Sequence, residues 1–324
     1  MGGPDNGMRI SWFLDAFRIP KIHAPDNRAR DAPPRFTQTT SLFPMFSRSF
    51  RITSGHALLV AALLSAFSGV ARADSTLDRI HQRHKITIGV ILSGPPFGSL
   101  DPATQKPVGF NVDLANDVAK RLGVDVELTP VQPSNRVQFL QQGKVDALIA
   151  NMELTTERAE ILSYAPTPFE FIGGALITRK DSGIKTWADV RGKPVCVSQG
   201  SNYTKPLATE YGAQVKAFRG QPESLLALRG NNCVAAVHVA PTLRMLVAHN
   251  PDWKDYATPL PTDLIPSPSV IWVRKGETDT QNALDRIVQD WHRSGWLLDV
   301  ERKNGMTPSQ AVLDLRAKLK AQRT

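Results

Sequence analysis

The sequence predicts an α/β protein of two units, in which the strands form sheets covered by helices. Strand-like and helix-like runs alternate with short links between them, in the β-α-β-α-β order of a doubly wound sheet. The first strand, residues 85–91, is apolar on both faces, as is typical of a covered parallel sheet. A second run of the same kind begins near Trp187, after an Asp-Ser-Gly turn at 181–183. The two runs predict two α/β units.

Glycines mark where the helices of the first unit end. Gly123 follows one amphipathic run and Gly143 follows another, and glycine is the residue that most often ends a helix. After strand 85–91, the expected elements are a helix at 114–122, a strand at 124–129, a helix at 135–142, a strand at 145–150 and a strand at 174–178.

The second unit repeats this alternation with different lengths. Its first strand, 195–198, opens into a Gln-Gly-Ser-Asn turn that leads to a helix. The elements expected after this turn are helices at 203–211 and 223–230, a strand at 233–239, a helix at 241–248, a strand at 269–274, and helices at 280–294 and 307–320.

The stretch from Asp146 to Arg158 is the first candidate binding segment. A buried strand leads there into polar residues, and Thr155 or Thr156 suits the start of a helix. Such a turn presents backbone N–H groups at the carboxyl edge of a sheet, where small ligands bind in open α/β domains. The forked guanidinium of Arg158 suits a carboxylate, although it could instead pair with a surface acid such as Glu157.

Two further features point to the same kind of site. The turn at 199–202 brings glycine, hydroxyl and amide groups to a second helix start, so each unit offers one edge suited to an anion. Phe97 follows the first strand in a Gly-Pro-Pro-Phe turn, where it is either a wall of the pocket or part of the core.

Charge and motifs argue against other classes of function. Residues 1–73 hold nine Lys or Arg and four Asp or Glu, so more than half of the net charge of +9 lies outside the predicted fold. The remainder shows no basic run with interleaved aromatics, which excludes a typical nucleic-acid surface. The sequence contains no Gly-x-Ser-x-Gly, P-loop, full dinucleotide-binding or His-Glu-x-x-His motif, so we expect no catalysis and no cofactor.

Residues 45–73 have the pattern of a secretory signal peptide. Basic Arg48 and Arg51 precede an apolar run at 57–67, and Ala71 and Ala73 form an Ala-x-Ala cleavage site. We therefore expect export to the periplasm, with an uncleaved anchor as the alternative. Residues 1–44 precede a complete signal whose own Met45 could be the initiator, and are expected to be a misassigned start or a disordered lead.

The two cysteines, Cys196 and Cys233, both fall in the exported part. An even number in an oxidising compartment favours a disulfide, with two buried free thiols as the alternative. Their spacing matches no zinc site, so no metal is expected.

Several short motifs, in a specific order, resemble one protein family. They are Pro-Pro-Phe at 95–97, Gly-Phe-Asn-Val-Asp-Leu at 109–114, Asn-Arg at 135–136, Gly-Lys-Val-Asp-Ala at 143–147, Thr-Thr-Glu-Arg at 155–158, Gln-Gly-Ser at 199–201 and Val-Arg-Lys-Gly at 273–276. The chain from about 78 to 300 thereby resembles the extracellular solute-binding proteins of family 3, which deliver polar amino acids to ABC importers.

The resemblance implies a two-lobed periplasmic-binding-protein fold of type II that closes on its ligand like a hinge. Lobe 1 would comprise residues 74–180 and 271–324 and lobe 2 residues 181–270, with crossings near 177–180 and 270–274. The arginine matching Arg158 would hold the ligand carboxylate. The full set of expected ligand-binding residues is Phe97, Asn151, Glu153, Arg158, Gln199, Gly200, Ser201, Asn202, His238 and Val239.

The sequence departs from the family pattern at the position that should hold the ligand ammonium. Val239 stands where the family has an aspartate, and Glu153 stands where a serine or threonine is expected. A buried ammonium without an acid would be costly, so either Glu153 supplies the charge or the ligand is not an ordinary α-amino acid. A third alternative is an Arg158–Glu153 salt bridge that closes an impaired site.

The expected function is capture of an amino acid or similar small zwitterion for an ABC-transporter permease, by a monomer that binds no nucleic acid. Two alternatives remain open. One is a periplasmic enzyme on the same fold that resembles cyclohexadienyl dehydratases, with Glu153 or His238 handling a proton. The other is a ligand sensor for a membrane receptor.

Overall fold

The computed structural model describes residues 76–322, which form two lobes, each built on its own sheet. The predicted signal peptide at 45–73 and the stretch 1–44 lie outside the described residues. Between residues 76 and 322, no helix is both long and apolar enough to cross a membrane.

The chain begins in lobe 1. Its elements there are α1 (Thr76–Gln82), β1 (Lys85–Val90), β2 (Ser99–Leu100), β3 (Pro107–Val108), α2 (Phe110–Leu122), β4 (Asp125–Pro130), α3 (Arg136–Gln141), β5 (Ala147–Ile149), α4 (Thr156–Ile161) and β6 (Leu162–Tyr164).

Lobe 2 follows without interruption. Its elements are β7 (Glu170–Arg179), a 3₁₀ turn (Trp187–Val190), β8 (Pro194–Ser198), α5 (Thr204–Thr209), β9 (Gln214–Phe218), α6 (Gln221–Arg229), β10 (Ala235–Val239), α7 (Ala240–His249), a second 3₁₀ turn (Pro251–Trp253), β11 (Tyr256–Ala257) and β12 (Leu264–Ser269).

The chain then returns to lobe 1. It adds one strand and three helices, which are β13 (Trp272–Arg274), α8 (Thr278–Ser294), α9 (Trp296–Lys303) and α10 (Gln310–Ala321).

In each sheet, three neighbouring strands run parallel to one another. In lobe 1 the order is β4-β1-β5-β13-β6, with β1 parallel to both neighbours and β13 antiparallel to β5 and β6. In lobe 2 the order is β11-β7-β10-β8-β9, with β8 parallel to β9 and β10 and with β12 paired to β7. The carboxyl ends of the parallel strands therefore form one edge in each lobe.

Helix α2 shows how the sequence builds the core of lobe 1. Phe110, Leu114 and Val118 recur every four residues and are fully buried on the face that packs on the sheet. Gly123 ends the helix with φ of +69°, and its backbone N–H donates to the last turn. From α8, the indole of Trp291 packs into the same cluster and donates to Asp117 of α2 at 2.6 Å.

The first crossing between lobes lies earlier than expected. Strand β7 pairs with β10, β11 and β12 over its length, so all of 170–179 belongs to the second sheet. The crossing segments are 165–169 and 270–271, where Phe169 N donates to Ser269 O at 3.0 Å and Ala165 N to Ile271 O at 2.9 Å. The expected crossing near 177–180 is wrong, because the turn at 181–183 only ends β7 within lobe 2. The expected lobe boundary between residues 180 and 181 would place β7 in lobe 1, whereas its strand pairing places it in lobe 2.

Two further expectations about elements need correction. Strand β12, with two prolines in six residues, was not expected and pairs with β7 at the edge of the sheet. The helix expected at 307–320 begins at Gln310 and follows a separate helix, α9, from which it is divided at Gly305 with φ of +71°.

A disulfide joins Cys196 of β8 to Cys233, just before β10, with their Cα atoms 5.8 Å apart. The predicted pairing is thereby confirmed. Because β8 and β10 are neighbouring parallel strands, the bond ties together the two strands whose ends carry the second-lobe side of the candidate site.

Candidate functional site

A polar cavity of about 50 Å³ lies between the lobes, at the carboxyl ends of β1, β5, β8 and β10. This edge is where open α/β sheets bind small ligands. Its walls come from both lobes: Ile91, Ser93, Pro133, Arg136, Asn151, Glu153, Ser198, Ser201, Asn202, Tyr203, Gln221, His238 and Val239.

The turn after β5 is held in place by buried hydrogen bonds. Asn151 adopts φ of +48°, a left-handed conformation that asparagine tolerates better than most residues. Its side-chain oxygen accepts from Asn111 Nδ2 at 2.5 Å. The Arg136 guanidinium donates through Nη1 to Ala150 O at 2.6 Å and to Asn151 O at 2.8 Å. The first wall of the cavity is thus fixed before any ligand arrives.

Glu153 is buried at the centre of the contact between the lobes, with 2% of its surface exposed. Its Oε1 accepts from the Tyr203 hydroxyl of lobe 2 at 2.7 Å, and its Oε2 lies 3.4 Å from Arg158 Nη1. Burial and the negative charge of Glu153 raise the pKa of Tyr203 well above its usual value, so this phenol stays protonated and donates.

Arg158 bridges the two lobes. Its backbone N–H donates to the Thr155 hydroxyl at 3.3 Å, which is the predicted cap of α4. The guanidinium donates to Glu153 O at 2.6 Å and to Gly200 O of lobe 2 at 2.9 Å. It is not among the residues that line the cavity. Its predicted role as the carboxylate clamp stays a prediction.

Gly200 allows the close approach of the second-lobe turn. Its φ is +74°, and a Cβ at this position would lie 2.5 Å from Pro133 O of lobe 1. Ser201 and Asn202 line the cavity, whereas Gln199 is exposed and does not, and their contact with a ligand stays a prediction. Both polar atoms of the Asn202 side chain are buried without a hydrogen-bond partner in the described structure, so they are available to a ligand.

His238 and Val239 also line the cavity. The His238 ring lies 2.8 Å from Ser224 Oγ through Nε2 and 3.5 Å from Ser198 Oγ through Nδ1. Burial lowers the pKa of His238 to about 3, so the ring is neutral at physiological pH. The end of β10 therefore carries no charged side chain, whereas the family pattern has an acid at this position.

Phe97 does not lie in the cavity wall. It is 1% exposed and packs edge-on against Phe110, with ring centroids 6.2 Å apart, in the core of lobe 1. Of the two roles open for Phe97, the structure supports the core role. The turn after β1 places Phe97 in the core, whereas Ile91 and Ser93 line the cavity.

Arg136 and Tyr203 line the cavity but were not among the expected ligand-binding residues, although Arg136 belongs to the Asn-Arg motif at 135–136. Residues 132–140 contain no acid that could pair with Arg136 at helical spacing, a signal that the arginine has another partner. Tyr203 gave no such signal, because its partner Glu153 lies 50 residues away on the other lobe. Among the described residues, no group of three or more His, Cys, Asp or Glu could hold a metal ion.

Residues 86–306 match the family model of the bacterial extracellular solute-binding proteins, family 3. A glutamine-binding protein of Geobacillus stearothermophilus is 32% identical over 162 residues, covering 48% of this chain and 61% of the relative. The chain thus spans less than two thirds of that relative's length.

Two other similar proteins cover more of the chain. An L-glutamate/L-aspartate-binding protein of Pseudomonas aeruginosa is 26% identical over 252 residues, covering 73% of this chain and 82% of the relative. The crystal structure of a P235GK mutant of ArgBP from T. maritima superposes with a TM-score of 0.65 at 29% identity, covering 70% of this chain and 98% of that one. The expected two-lobed fold is confirmed by this likeness.

Proposed function

The chain belongs to the bacterial extracellular solute-binding proteins of family 3, and on this premise we propose that it captures an amino acid or related small zwitterion between its lobes. It would then present the closed form to the permease of an ABC importer. In this proposal the protein acts as a monomer in the periplasm, after removal of the signal peptide at 45–73.

One observation carries the proposal, namely that both lobes build a single polar cavity and hydrogen-bond across it. Tyr203 of lobe 2 donates to Glu153 of lobe 1, and Arg158 of lobe 1 donates to Gly200 of lobe 2. A ligand held among these groups would touch both lobes at once. It would therefore bind the closed form more tightly than the open form, as hinge closure requires.

The residues proposed to contact the ligand are those of the cavity wall. Arg136 and Asn202 offer N–H donors for a carboxylate, and Glu153 retains lone pairs for an ammonium, since a carboxylate can accept about four hydrogen bonds. Arg158 holds Glu153 in place. Its guanidinium would also donate to the ligand as the lobes open and close.

Binding fits the site better than catalysis does. His238 is neutral, and both ring nitrogens face serine hydroxyls, while Glu153 is held by Tyr203 and Arg158. Neither side chain is a free proton donor or acceptor directed at a substrate, as the dehydratase alternative would require. The similar proteins described above are solute-binding proteins.

Isothermal titration calorimetry of the purified protein against the twenty amino acids tests the proposal. We expect saturable one-to-one binding of at least one of them. Replacing Arg158 with Ala removes the bridge to Gly200, so affinity should fall by roughly 10- to 100-fold, the range for hydrogen bonds to a charged group.

Arg179→Ala is the matched control, because Arg179 is half-exposed and pairs with Asp181 at the end of β7. Its affinity should equal that of the unmodified protein. If no amino acid binds, the assignment of an amino acid as the ligand is wrong. If binding survives unchanged in Arg158→Ala, only the role of Arg158 is wrong.

A further inference from the structure

Arg136 is a buried cation without an acidic partner. Its side chain lines the cavity with 3% of the residue exposed, and its two hydrogen bonds go to backbone carbonyls. Within residues 76–322, no carboxylate lies within 4 Å of this guanidinium. Burial, and then the nearby charge of Arg158, lower the pKa of Arg136 to about 9, so it remains positive at neutral pH.

The other charges around the cavity offset the two guanidinium groups, Arg136 and Arg158, only in part, because Glu153 stabilises the positive charge of both. Glu153 is the one carboxylate among the lining residues, and it is already shared with the guanidinium of Arg158, 3.4 Å away. Tyr203 and His238 are neutral for the reasons given above. Burial, and then the charges of Glu301 and Glu153, raise the pKa of Glu170, the next buried carboxyl, well above its usual value, which favours the neutral form.

The wall opposite Arg136 adds hydrogen-bonding capacity without charge. Asn202 presents a buried amide whose nitrogen and oxygen both lack a partner in the described structure. Val239 closes the end of β10 with an apolar side chain. The cavity therefore combines one unbalanced positive charge, an unused amide and no second acid.

The cavity is also small. A volume of about 50 Å³ corresponds to about four water molecules, at roughly 10–15 Å³ for each. This is less than the volume of an amino acid, so the lobes have to separate further before an amino acid fits between them.

Resting on the proposed function, we propose that the ligand is a small carboxylate with one net negative charge, and that Arg136 selects it. Arg136 and Arg158 share one carboxylate, Glu153, so the site keeps one uncompensated positive charge, which a neutral zwitterion leaves in place and an anion with one net negative charge neutralises. Two kinds of ligand carry one net negative charge. One is an acidic amino acid, whose ammonium would donate to Glu153, and the other is a carboxylate without an ammonium.

Pairs of probes that differ by one charge at nearly constant size test this inference by calorimetry. L-Glutamate is compared with L-glutamine, L-aspartate with L-asparagine, and L-lactate with L-alanine. In at least one pair, the anionic member should bind about tenfold more tightly or better, as expected when a buried charge gains or lacks its partner. The first two pairs report an acidic amino acid, and the third reports an ammonium-free carboxylate.

Two variants of Arg136 separate charge from packing. Arg136→Lys keeps the positive charge and should retain the preference for the anion, whereas Arg136→Met keeps the length of the side chain and should abolish it. Circular dichroism spectra establish that each variant is folded. If Arg136→Met does not fold, the probe pairs with the unmodified protein still decide.

The outcomes distinguish this inference from the function on which it rests. If the neutral member binds equally or more tightly in every pair that binds, the ligand does not carry a net negative charge, but the protein is still a solute-binding protein. Absence of binding for all six probes, together with absence of binding for all twenty amino acids, overturns both. A preference for the anion that survives in a folded Arg136→Met overturns the role of Arg136 alone.

Discussion

Glu301 gives a stability prediction whose size follows from its surroundings. It lies in α9 with 1% of its surface exposed, and its Oε2 has no hydrogen-bond partner in the described structure. With Glu170, Arg244 and Asp263 it lines a second cavity of about 480 Å³. Burial raises the pKa of Glu301 from 4.5 to about 7, because the charged form loses its hydration without gaining a partner.

The sign and size of the effect follow from proton linkage. The folded protein holds the Glu301 proton more tightly than the unfolded chain does, so the group stabilises the fold fully below pH 4.5 and loses this contribution as pH rises to about 7. At about 1.4 kcal/mol for each pH unit, ionised Glu301 lowers the free energy of unfolding by about 3 kcal/mol above pH 7. Replacing it with neutral glutamine removes that loss.

Urea denaturation of the unmodified protein and of Glu301→Gln, at pH 5 and at pH 8.5, measures the effect. Relative to the unmodified protein, the variant should gain about 2.5 kcal/mol of stability between the two pH values, because a small part of the loss already occurs below pH 5. Glu160→Gln is the matched control, because Glu160 is exposed on α4 and should leave the pH dependence unchanged. Parallel pH profiles for Glu301→Gln and the unmodified protein would refute the reasoning.

Two further predictions concern the disulfide and the turn at Gly200. Replacing Cys196 and Cys233 with Ala opens a loop of 37 residues and should lower the free energy of unfolding, measured in urea, by about 4 kcal/mol. An unchanged free energy would show that the disulfide does not stabilise the fold. Gly200→Ala places a Cβ against Pro133 O, and should therefore separate the lobes and raise the radius of gyration in small-angle X-ray scattering. Gly183→Ala is its control, since Gly183 has the same φ of +74° with no described atom within 4 Å of the added carbon; equal radii in the two variants would show that Gly200 does not govern closure.

Local signals in the sequence predicted most of the fold. The helix ends at Gly123 and Gly143 are visible because both positions require a left-handed backbone that glycine adopts at low cost. Strand β7 shows the limit of this approach. Its apolar pattern predicts a buried strand, but only its pairing with β10 determines which sheet it joins, and pairing partners are distant in the sequence.

The candidate site divides in a similar way. Asn151, Glu153, Ser201, Asn202, His238 and Val239 were expected at strand ends and do line the cavity. The position of a residue in a turn does not determine the direction of its side chain, which is why Phe97 and Gln199 were expected there and lie elsewhere.

Arg136 is the most instructive omission. A lone arginine in the first turn of a helix is ordinarily a surface residue, and its burial results from packing against the turn at Ala150 and Asn151. Only the fold brings Arg136 to the same cavity as Glu153, and only the fold reveals that Glu153 also interacts with a second arginine, Arg158.

Native mass spectrometry after incubation with an equimolar mixture of the six probes and the remaining amino acids tests the central claim most directly. The probes then compete for one cavity, and the bound species is identified after release. The account predicts a one-to-one complex that contains a single small carboxylate, with one net negative charge. A spectrum that shows only the bare chain would contradict capture of a small solute between the lobes.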